Sequence, residues 1–271
     1  MLVLQTVWLL ILINCVSIFG FATFCRNPHL IVQYPWSVPI FVDSFSFFAQ
    51  VQIACSFLVI MRASLKSLGQ VTYRLLMSAF AIGFSMELWS TSFGIPFGKY
   101  SYTDLLGWKI LGKVPFWIPI SWFCMSLASW LLAHQILGKN RPIFFKILLG
   151  AVLLLTWDFT LDPAMSQLTP FWLWDQSQNF ILHMPIRNLG GWFLTGCLIM
   201  ASYHFQLPSL AERWRNKTFP LKYYLANLLL PMGFAVVARL WLPILGTALI
   251  GSICFFLIKI LGSSRNFRTI T

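Results

Sequence analysis

Acidic residues are scarce in this chain, which has only 7 Asp and Glu against 19 Lys and Arg in 271 residues. Charged residues of both signs make up 10% of the sequence, whereas a soluble domain averages about 25%. Hydrophobic residues make up 58%, and the mean hydropathy is +0.76. This composition excludes an ordinary soluble domain and indicates a membrane protein.

Several kinds of functional motif are also missing. The four histidines are scattered, without the spacing of a zinc or di-iron site. The six cysteines are isolated, which fits small buried residues better than a metal site or a disulfide framework. The sequence has no glycine-rich phosphate loop, internal repeat or low-complexity tract, and we expect one integral-membrane domain over residues 1–271.

The apolar runs predict an all-α, polytopic transmembrane bundle of about eight spans, since roughly 20 apolar residues cross a bilayer. The spans are predicted at about residues 4–24, 38–61, 72–95, 115–137, 143–162, 188–206, 222–240 and 244–262. Thirteen basic residues then lie on the side of the termini and five on the other, which predicts cytoplasmic termini. This bias, with anionic lipid at the inner leaflet, explains the net charge of +12 without nucleic acid.

Three of the acids lie at membrane depth or at its edge. Glu87 falls inside the apolar stretch from Leu75 to Phe97, and Asp158 and Asp162 close the fifth span. A carboxylate in hydrocarbon costs a few kcal/mol, so each is a functional-site hypothesis. Asp158 and Asp162 are four residues apart on one helical face, where both cannot ionise readily. We expect a protonated acid beside an anion.

Each acid also has a structural interpretation. Asp162 would end a helix before Pro163, Asp158 would lock helices together by hydrogen bonds, and Glu87 would bind a neighbouring Ser, Tyr or Trp. Many of the 13 tryptophans flank the acids. They fit either an interfacial aromatic belt or ring faces that stabilise a carbocation. Trp89 and Trp157 each lie within two residues of an acid and are the candidates for the second role.

A series of motifs follows one another over about residues 80–195. They are Glu87, Gly94-Ile95-Pro96-Phe97-Gly98-Lys99-Tyr100-Ser101-Tyr102, Gly107, Val114-Pro115, Pro119, Trp122, Trp157-Asp158, Asp162-Pro163, Trp174, Pro185, Asn188 and Gly191-Trp192. Their order and spacing resemble a family of integral-membrane carotenoid-biosynthesis proteins. Characterised members of that family look like carotenoid 1,2-hydratases that act on gamma-carotene or bisanhydrobacterioruberin.

The resemblance implies the addition of water to the terminal double bond of an acyclic (psi) end group. Such a reaction needs a desolvated acid, a cation stabiliser and a base that orients water. We assign the proton donor to the Asp158/Asp162 pair, cation stabilisation to Trp89 and Trp157, and the base to Glu87. The acid and base roles are interchangeable at this stage, and no cofactor or metal is required.

Four further residues complete the expected site. Tyr100, Tyr102 and Asn188 would fix the water or a carboxylate by hydrogen bonds, and Trp192 would contact the substrate. The implied partners are a lipid-dissolved carotenoid and membrane lipid, with other carotenoid-pathway enzymes as further candidates. The implied location is a bacterial plasma membrane or a thylakoid.

The sequence departs from the family pattern in His183-Met184-Pro185-Ile186-Arg187, where His183 and Arg187 replace smaller residues. The departure fits a tolerant outer loop, a different end group, altered activity, or a proton-transfer role for His183.

Three other functions stay open. A membrane prenyltransferase would need two Asp-rich clusters for magnesium and diphosphate, and only Asp158-x-x-x-Asp162 is present. A lycopene-cyclase-like enzyme would quench the same cation with carbon. A proton-coupled transporter would favour inverted repeats and broken helices.

Overall fold

Helices account for most of the chain, as the apolar runs predict. The computed structural model describes residues 2–167 and 170–266. The helices are α1 (Leu2–Arg26), α2 (His29–Gln33), α3 (Ser37–Leu68), α4 (Val71–Phe93), α5 (Trp117–Leu137), α6 (Ile143–Gln167), α7 (Ile186–Gln206), α8 (Leu210–Arg213), α9 (Phe219–Val237) and α10 (Trp241–Asn266). The all-α bundle is confirmed.

The membrane character of the helices is confirmed as well. Within the described residues, five helices are long and apolar enough to cross a membrane, namely α1, α3, α5, α6 and α9. The other three long helices, α4, α7 and α10, coincide with the remaining predicted spans. The number of spans and the side of the termini stay predictions.

Helix α5 lies at the centre of the bundle. It packs against α3, α4, α6 and α9, and every side chain from Trp122 to Ala133 is buried. Such a helix is apolar all round because it has no face turned to the outside. Helix α6, which carries Asp158 and Asp162, lies beside it and contacts α7, α9 and α10, whereas Glu87 is on α4 at another side of α5.

Three short antiparallel ribbons cover one end of the bundle, which we call the ribbon end. The strands are β1 (Tyr100–Tyr102), β2 (Lys109–Ile110), β3 (Val114–Pro115), β4 (Trp172–Trp174), β5 (Phe180–Ile181) and β6 (Met184–Pro185). Strands β2 and β3 pair with each other, as do β5 and β6, whereas β1 pairs with β4. The β1–β4 pair therefore ties the loop after α4 to the loop after α6.

Two helix boundaries differ from those predicted. Helix α6 continues through Pro163 to Gln167, so the interpretation of Asp162 as a helix terminator is wrong. The break between the last two helices lies at residues 238–240, where Arg239 has φ +59°, and not at Leu242-Pro243. Proline is tolerated in the first turn of a helix, and Pro243 lies there in α10.

Gly191 lies where α7 comes close to the backbone of the loop after α4. A Cβ atom at this position would lie 3.0 Å from the backbone nitrogen of Phe97 and 3.0 Å from the carbonyl carbon of Pro96. Backbone atoms cannot move aside as a flexible side chain can. Glycine at this position therefore brings Phe97 and α7 together at the ribbon end.

We predict that Gly191→Ala destabilises the protein by about 1–3 kcal/mol, the usual cost of overpacking. The matched control is Gly251→Ala in α10, where a Cβ atom meets nothing within 4 Å. Thermal unfolding of the detergent-solubilised variants measures the difference. Equal unfolding temperatures for the two variants would contradict the close packing at Gly191.

Candidate active site

Glu87 is buried in the bundle on the inner face of α4, with only 4% of its surface exposed. Its Oε1 accepts a hydrogen bond from Nε1 of Trp122 at 2.9 Å. Its Oε2 accepts one from the Tyr102 hydroxyl at 2.9 Å and another from the Tyr100 hydroxyl. Three neutral donors thus replace the water that the carboxylate has lost, which stabilises the anion.

The two tyrosines belong to β1, which pairs with β4 in one ribbon. Alternate residues of a strand face opposite sides, so Tyr100 and Tyr102 point inward while Ser101 is exposed. Across the ribbon, Tyr100 is opposite Trp174 and Tyr102 is opposite Trp172, and all four rings cover the acid from the ribbon end. Burial and the adjacent carboxylate raise the pKa of Tyr100 and Tyr102 well above its ordinary value, so both hydroxyls remain donors.

Two glycines and one glutamine make this arrangement possible. Gly94 ends α4 in the left-handed conformation with φ +77°, which turns the chain back over the bundle. The Gln178 side chain accepts from the Lys99 backbone nitrogen at 2.9 Å and donates to the Lys99 carbonyl at 2.8 Å. Gly83 lies one turn before Glu87, and a Cβ atom there would lie 2.8 Å from the ring of Trp122.

Asp158 and Asp162 lie on one face of α6, as predicted, and both are buried. The Asn188 amide, in the first turn of α7, bridges them. It donates to Oδ2 of Asp158 at 3.0 Å and to Oδ2 of Asp162. Oδ1 of Asp158 has no hydrogen-bond partner. Two carboxyls that share one amide donor at low dielectric favour the state in which one keeps its proton.

No cation balances these acids among the residues that the structure describes. The ion pairs found there join Lys99 to Asp175, Lys109 to Asp104 and Lys139 to Glu212. The described part of the chain also contains no group of three or more His, Cys, Asp or Glu side chains placed to hold a metal ion. The polar side chains next to the three acids carry phenol, amide and indole groups.

Glu87 and Asp162 line one cavity of about 100 Å³, which we call the carboxyl cavity. Asp158 does not line this cavity. The wall is mainly aromatic, formed by Phe97, Tyr100, Tyr102, Trp122, Trp157, Phe171, Trp172, Trp174 and Trp192. The rings of Trp122 and Trp192 are 4.2 Å apart, and those of Trp157 and Trp192 are 6.0 Å apart. The cavity therefore presents ring faces next to carboxyl groups.

Helices α3 and α9 add a polar wall to this cavity, formed by Gln52, Ser56 and Asn227. Asn227 Oδ1 accepts from Gln52 Nε2 at 3.1 Å and from Ser56 Oγ at 2.8 Å. Sequence reasoning missed this wall. The available signal was Gln52 and Ser56 four residues apart in an apolar span, which places both on one helical face.

Two indole donors in the cavity wall are also unpaired. Nε1 of Trp172 and Nε1 of Trp174 are buried and have no hydrogen-bond partner. The Trp172 indole faces Asp162 without forming a hydrogen bond of ordinary geometry. Buried donors without a protein partner are rare, and these two are available to a bound water or hydroxyl.

The structure does not bring Trp89 to the acids. Trp89 is 59% exposed and packs beside Phe93, with ring centroids 5.9 Å apart. Two residues along a helix correspond to a rotation of about 200°, so Glu87 and Trp89 face opposite sides of α4. The expectation that Trp89 stabilises a cation there fails on this geometry. Trp122, which was not predicted as a site residue, occupies that position instead.

The other expected residues are brought together. Trp157 and Trp192 line the carboxyl cavity beside Asn188, and the Trp157 indole donates to the Asn227 carbonyl at 3.2 Å. His183 and Arg187 are both exposed and lie outside the cavity lining. His183 has φ +67° in the turn between β5 and β6. This placement fits a surface loop and gives His183 no contact with the acids.

Comparison with known proteins gives two matches. The sequence model of a family described as "Carotenoid biosynthesis protein" matches residues 48–254. A bisanhydrobacterioruberin hydratase of Haloarcula japonica is 29% identical over 174 residues, which cover 62% of this chain and 58% of that protein. The match thus spans less than two thirds of that relative. No solved structure matches the chain.

We predict that Asn188→Ala destabilises the protein by about 1–3 kcal/mol, because two buried carboxyls lose their shared donor. Asp158→Asn should restore part of this loss, since the new amide lies beside Asp162. Denaturation of the single and double variants measures the coupling, which we expect to reach about 0.5–3 kcal/mol. Asn179→Ala, at an exposed asparagine of the ribbon end, is the control. Additive effects would argue against the bridge.

Proposed function

Since the chain belongs to the family of carotenoid biosynthesis proteins, we propose that it is a carotenoid 1,2-hydratase. It adds water to the terminal 1,2 double bond of an acyclic (psi) end group and forms a tertiary alcohol. One observation carries this proposal: one member of an aspartate pair that shares a single amide donor lines the same aromatic cavity as a glutamate that accepts three hydrogen bonds. A relative whose name is that of a hydratase supports it.

The first step is protonation of the less substituted alkene carbon. In this proposal Asp162 delivers the proton, because it lines the cavity, whereas Asp158 does not line it and shares the Asn188 donor with Asp162. The π electrons form the new C–H bond, which leaves a tertiary cation on the neighbouring carbon. The anion left on the pair is stabilised by the same amide.

The cation then lies among ring faces. Trp122, Trp157 and Trp192 form the part of the wall next to the carboxyls, and their quadrupoles attract a cation at close range. The contribution of each ring in a desolvated site is about 2 kcal/mol. In this proposal Trp122 takes the place first assigned to Trp89.

Water completes the reaction. It attacks the cation through oxygen and loses a proton to Glu87, whose anion is held by three donors. The polar wall of Gln52, Ser56 and Asn227 and the unpaired indole groups supply the two to four partners that a buried water requires. A cyclase would need a carbon nucleophile and would have no use for such a wall.

We predict that Asp162→Asn and Glu87→Gln each lower hydration by about 100-fold or more, the usual contribution of a positioned acid or base. Bacteria that accumulate lycopene or gamma-carotene would express each chain, and extracts would be analysed by liquid chromatography with mass detection. The unsubstituted chain should yield a more polar pigment, heavier by one water. Asp175→Asn, at the ribbon end but outside the cavity, should keep the activity.

Two outcomes would overturn this assignment. A product of unchanged mass from the unsubstituted chain would indicate cyclisation instead of hydration. Unaltered pigments with every acyclic carotenoid, despite membrane expression, would contradict carotenoid chemistry. Full activity of Glu87→Gln with loss in Asp162→Asn would remove Glu87 from the role of base and leave the donor assignment standing.

We also propose a topology in which the protein crosses the membrane several times with both termini in the cytoplasm. In this topology the ribbon end faces outward. We predict that a membrane-impermeant thiol reagent applied to intact bacterial cells labels Gln176→Cys and not Lys139→Cys. Both residues are exposed, Gln176 after β4 and Lys139 in the turn between α5 and α6 at the other end. The background chain has its native cysteines replaced. The reverse labelling pattern would invert the orientation.

A further inference from the structure

A second cavity, of about 180 Å³, lies between α1, α3 and α9 beside the carboxyl cavity. Its wall is dominated by aromatic rings, and we call it the phenylalanine groove. Among the eight phenylalanine rings that form it are Phe21, Phe24, Phe41, Phe45, Phe48 and Phe234. Phe21 and Phe234 are 4.5 Å apart and Phe24 and Phe41 are 4.8 Å apart, so the rings pack as one continuous surface.

The groove offers a ligand almost nothing but hydrocarbon. Its two hydroxyl groups are already bonded to their own helices, Ser17 to the Ile13 carbonyl at 2.8 Å and Ser44 to the Phe41 carbonyl at 2.9 Å. No charged side chain lines it among the described residues. A phospholipid headgroup would find no partner there, whereas an apolar chain would be fully matched.

The groove and the carboxyl cavity share part of their walls. Ala49, Met165, Phe171 and Leu230 line both. The ring of Phe45 in the groove lies 5.7 Å from that of Phe171, which directly precedes Trp172 of β4. Only side chains separate the two spaces, and one of them is a methionine, the most adaptable apolar side chain.

The outer rim of the groove reaches the surface of the bundle. Val16 is 45% exposed and Phe19 is 75% exposed, and both line the groove from α1. Phe41 and Phe48 are half-buried on α3. A hydrophobic surface of this kind on a membrane-spanning helix faces lipid. The groove thus lies between the lipid side of α1 and α3 and the carboxyl cavity.

We propose that the phenylalanine groove binds part of the polyene chain of an acyclic isoprenoid whose end group lies in the carboxyl cavity. This inference rests on the proposed function for the identity of the occupant. Its main support is size, because an apolar cavity of about 150 Å³ holds a molecule such as benzene. The carboxyl cavity of about 100 Å³ can take only the end of a long substrate. The remaining chain needs an apolar path toward lipid, and the groove supplies one beyond the side chains that separate the two spaces.

Gly20 provides a way to block the groove without disturbing its walls. It lines the groove from α1, and a Cβ atom there would meet nothing within 4 Å. Gly20→Trp would fill this free space. Gly251→Trp is the matched control, because Gly251 is an exposed helical glycine of α10 with the same freedom and lies outside the groove.

The experiment measures bound pigment. Each variant, combined with Asp162→Asn to prevent turnover, is purified in detergent from bacteria that accumulate lycopene, and the visible absorbance per protein is recorded. We expect roughly tenfold less lycopene with Gly20→Trp, the loss for about two methylene groups no longer buried. Gly251→Trp should bind as the parent does. Gly20→Leu introduces a smaller side chain and should lose an intermediate amount of bound lycopene. This graded loss separates a blocked groove from a misfolded protein.

The proposal that the groove binds the polyene would be overturned if Gly20→Trp retained lycopene, or if the parent chain, which carries Asp162→Asn alone, bound none. Hydration is followed separately with Asp162 intact. Loss of pigment binding with no hydrated product from any chain would leave the groove standing and reject the hydratase. Equal yields of hydrated lycopene from Gly20→Trp and the unsubstituted chain would reject the groove and leave the hydratase standing. Recovery of phospholipid in place of pigment would show that the groove holds lipid and would overturn the proposal.

Discussion

Burying a carboxyl among apolar helices is expensive unless hydrogen-bond donors replace the lost water. In this protein the donors that stabilise buried Glu87 account for much of the structure of the ribbon end. Its donors come from α5, through Trp122, and from β1, through Tyr100 and Tyr102. The absence of a side chain at Gly83 lets the Trp122 ring approach α4, and the pairing of β1 with β4 holds the tyrosines inward. The ribbon therefore serves to position donors as much as to cover the bundle.

Glu87 and the aspartate pair receive different numbers of hydrogen-bond donors, and this difference separates their chemistry. Glu87 receives three donors, whereas Asp158 and Asp162 share the single amide of Asn188, and one oxygen of Asp158 has none. An anion suits the first environment. One retained proton suits the second, as in other sites where environment divides two carboxyls into acid and base. The sequence left these roles interchangeable, and the hydrogen bonds now favour the aspartate pair as donor.

Local pattern predicted the helices and the acids because both are properties of a single segment. Apolar length identifies a span, and four-residue spacing places Asp158 and Asp162 on one face. The ribbon that carries Tyr100 could not be predicted in this way, since its strands have three residues and pair across separate loops. Trp89 was chosen by closeness along the chain, but helical rotation turns it away from Glu87.

The polar wall was missed for a related reason. Asn227 lies in the largely apolar helix α9, and only the packing of α9 against the bundle brings it to Gln52 and Ser56. The partners of Glu87 and Asn188 likewise come from segments far apart in sequence. A single sequence gives the identity of such residues but does not show which residues they contact. The motif containing Trp122 pointed to the residue without revealing that its indole holds Glu87.

One face of α3 lines both cavities, and its side chains change from aromatic to polar along the helix. Phe45 lies in the phenylalanine groove, Ala49 borders both spaces, and Gln52 and Ser56 form the polar wall deeper in the carboxyl cavity. These positions are spaced by three or four residues and therefore follow one stripe of the helix. A chain that lies along this stripe passes from aromatic hydrocarbon to amide and hydroxyl groups within about 16 Å. In the proposed binding mode the end group would reach the polar wall while the polyene stays among the phenylalanines. This order of environments lets a lipid-dissolved substrate meet water at only one end.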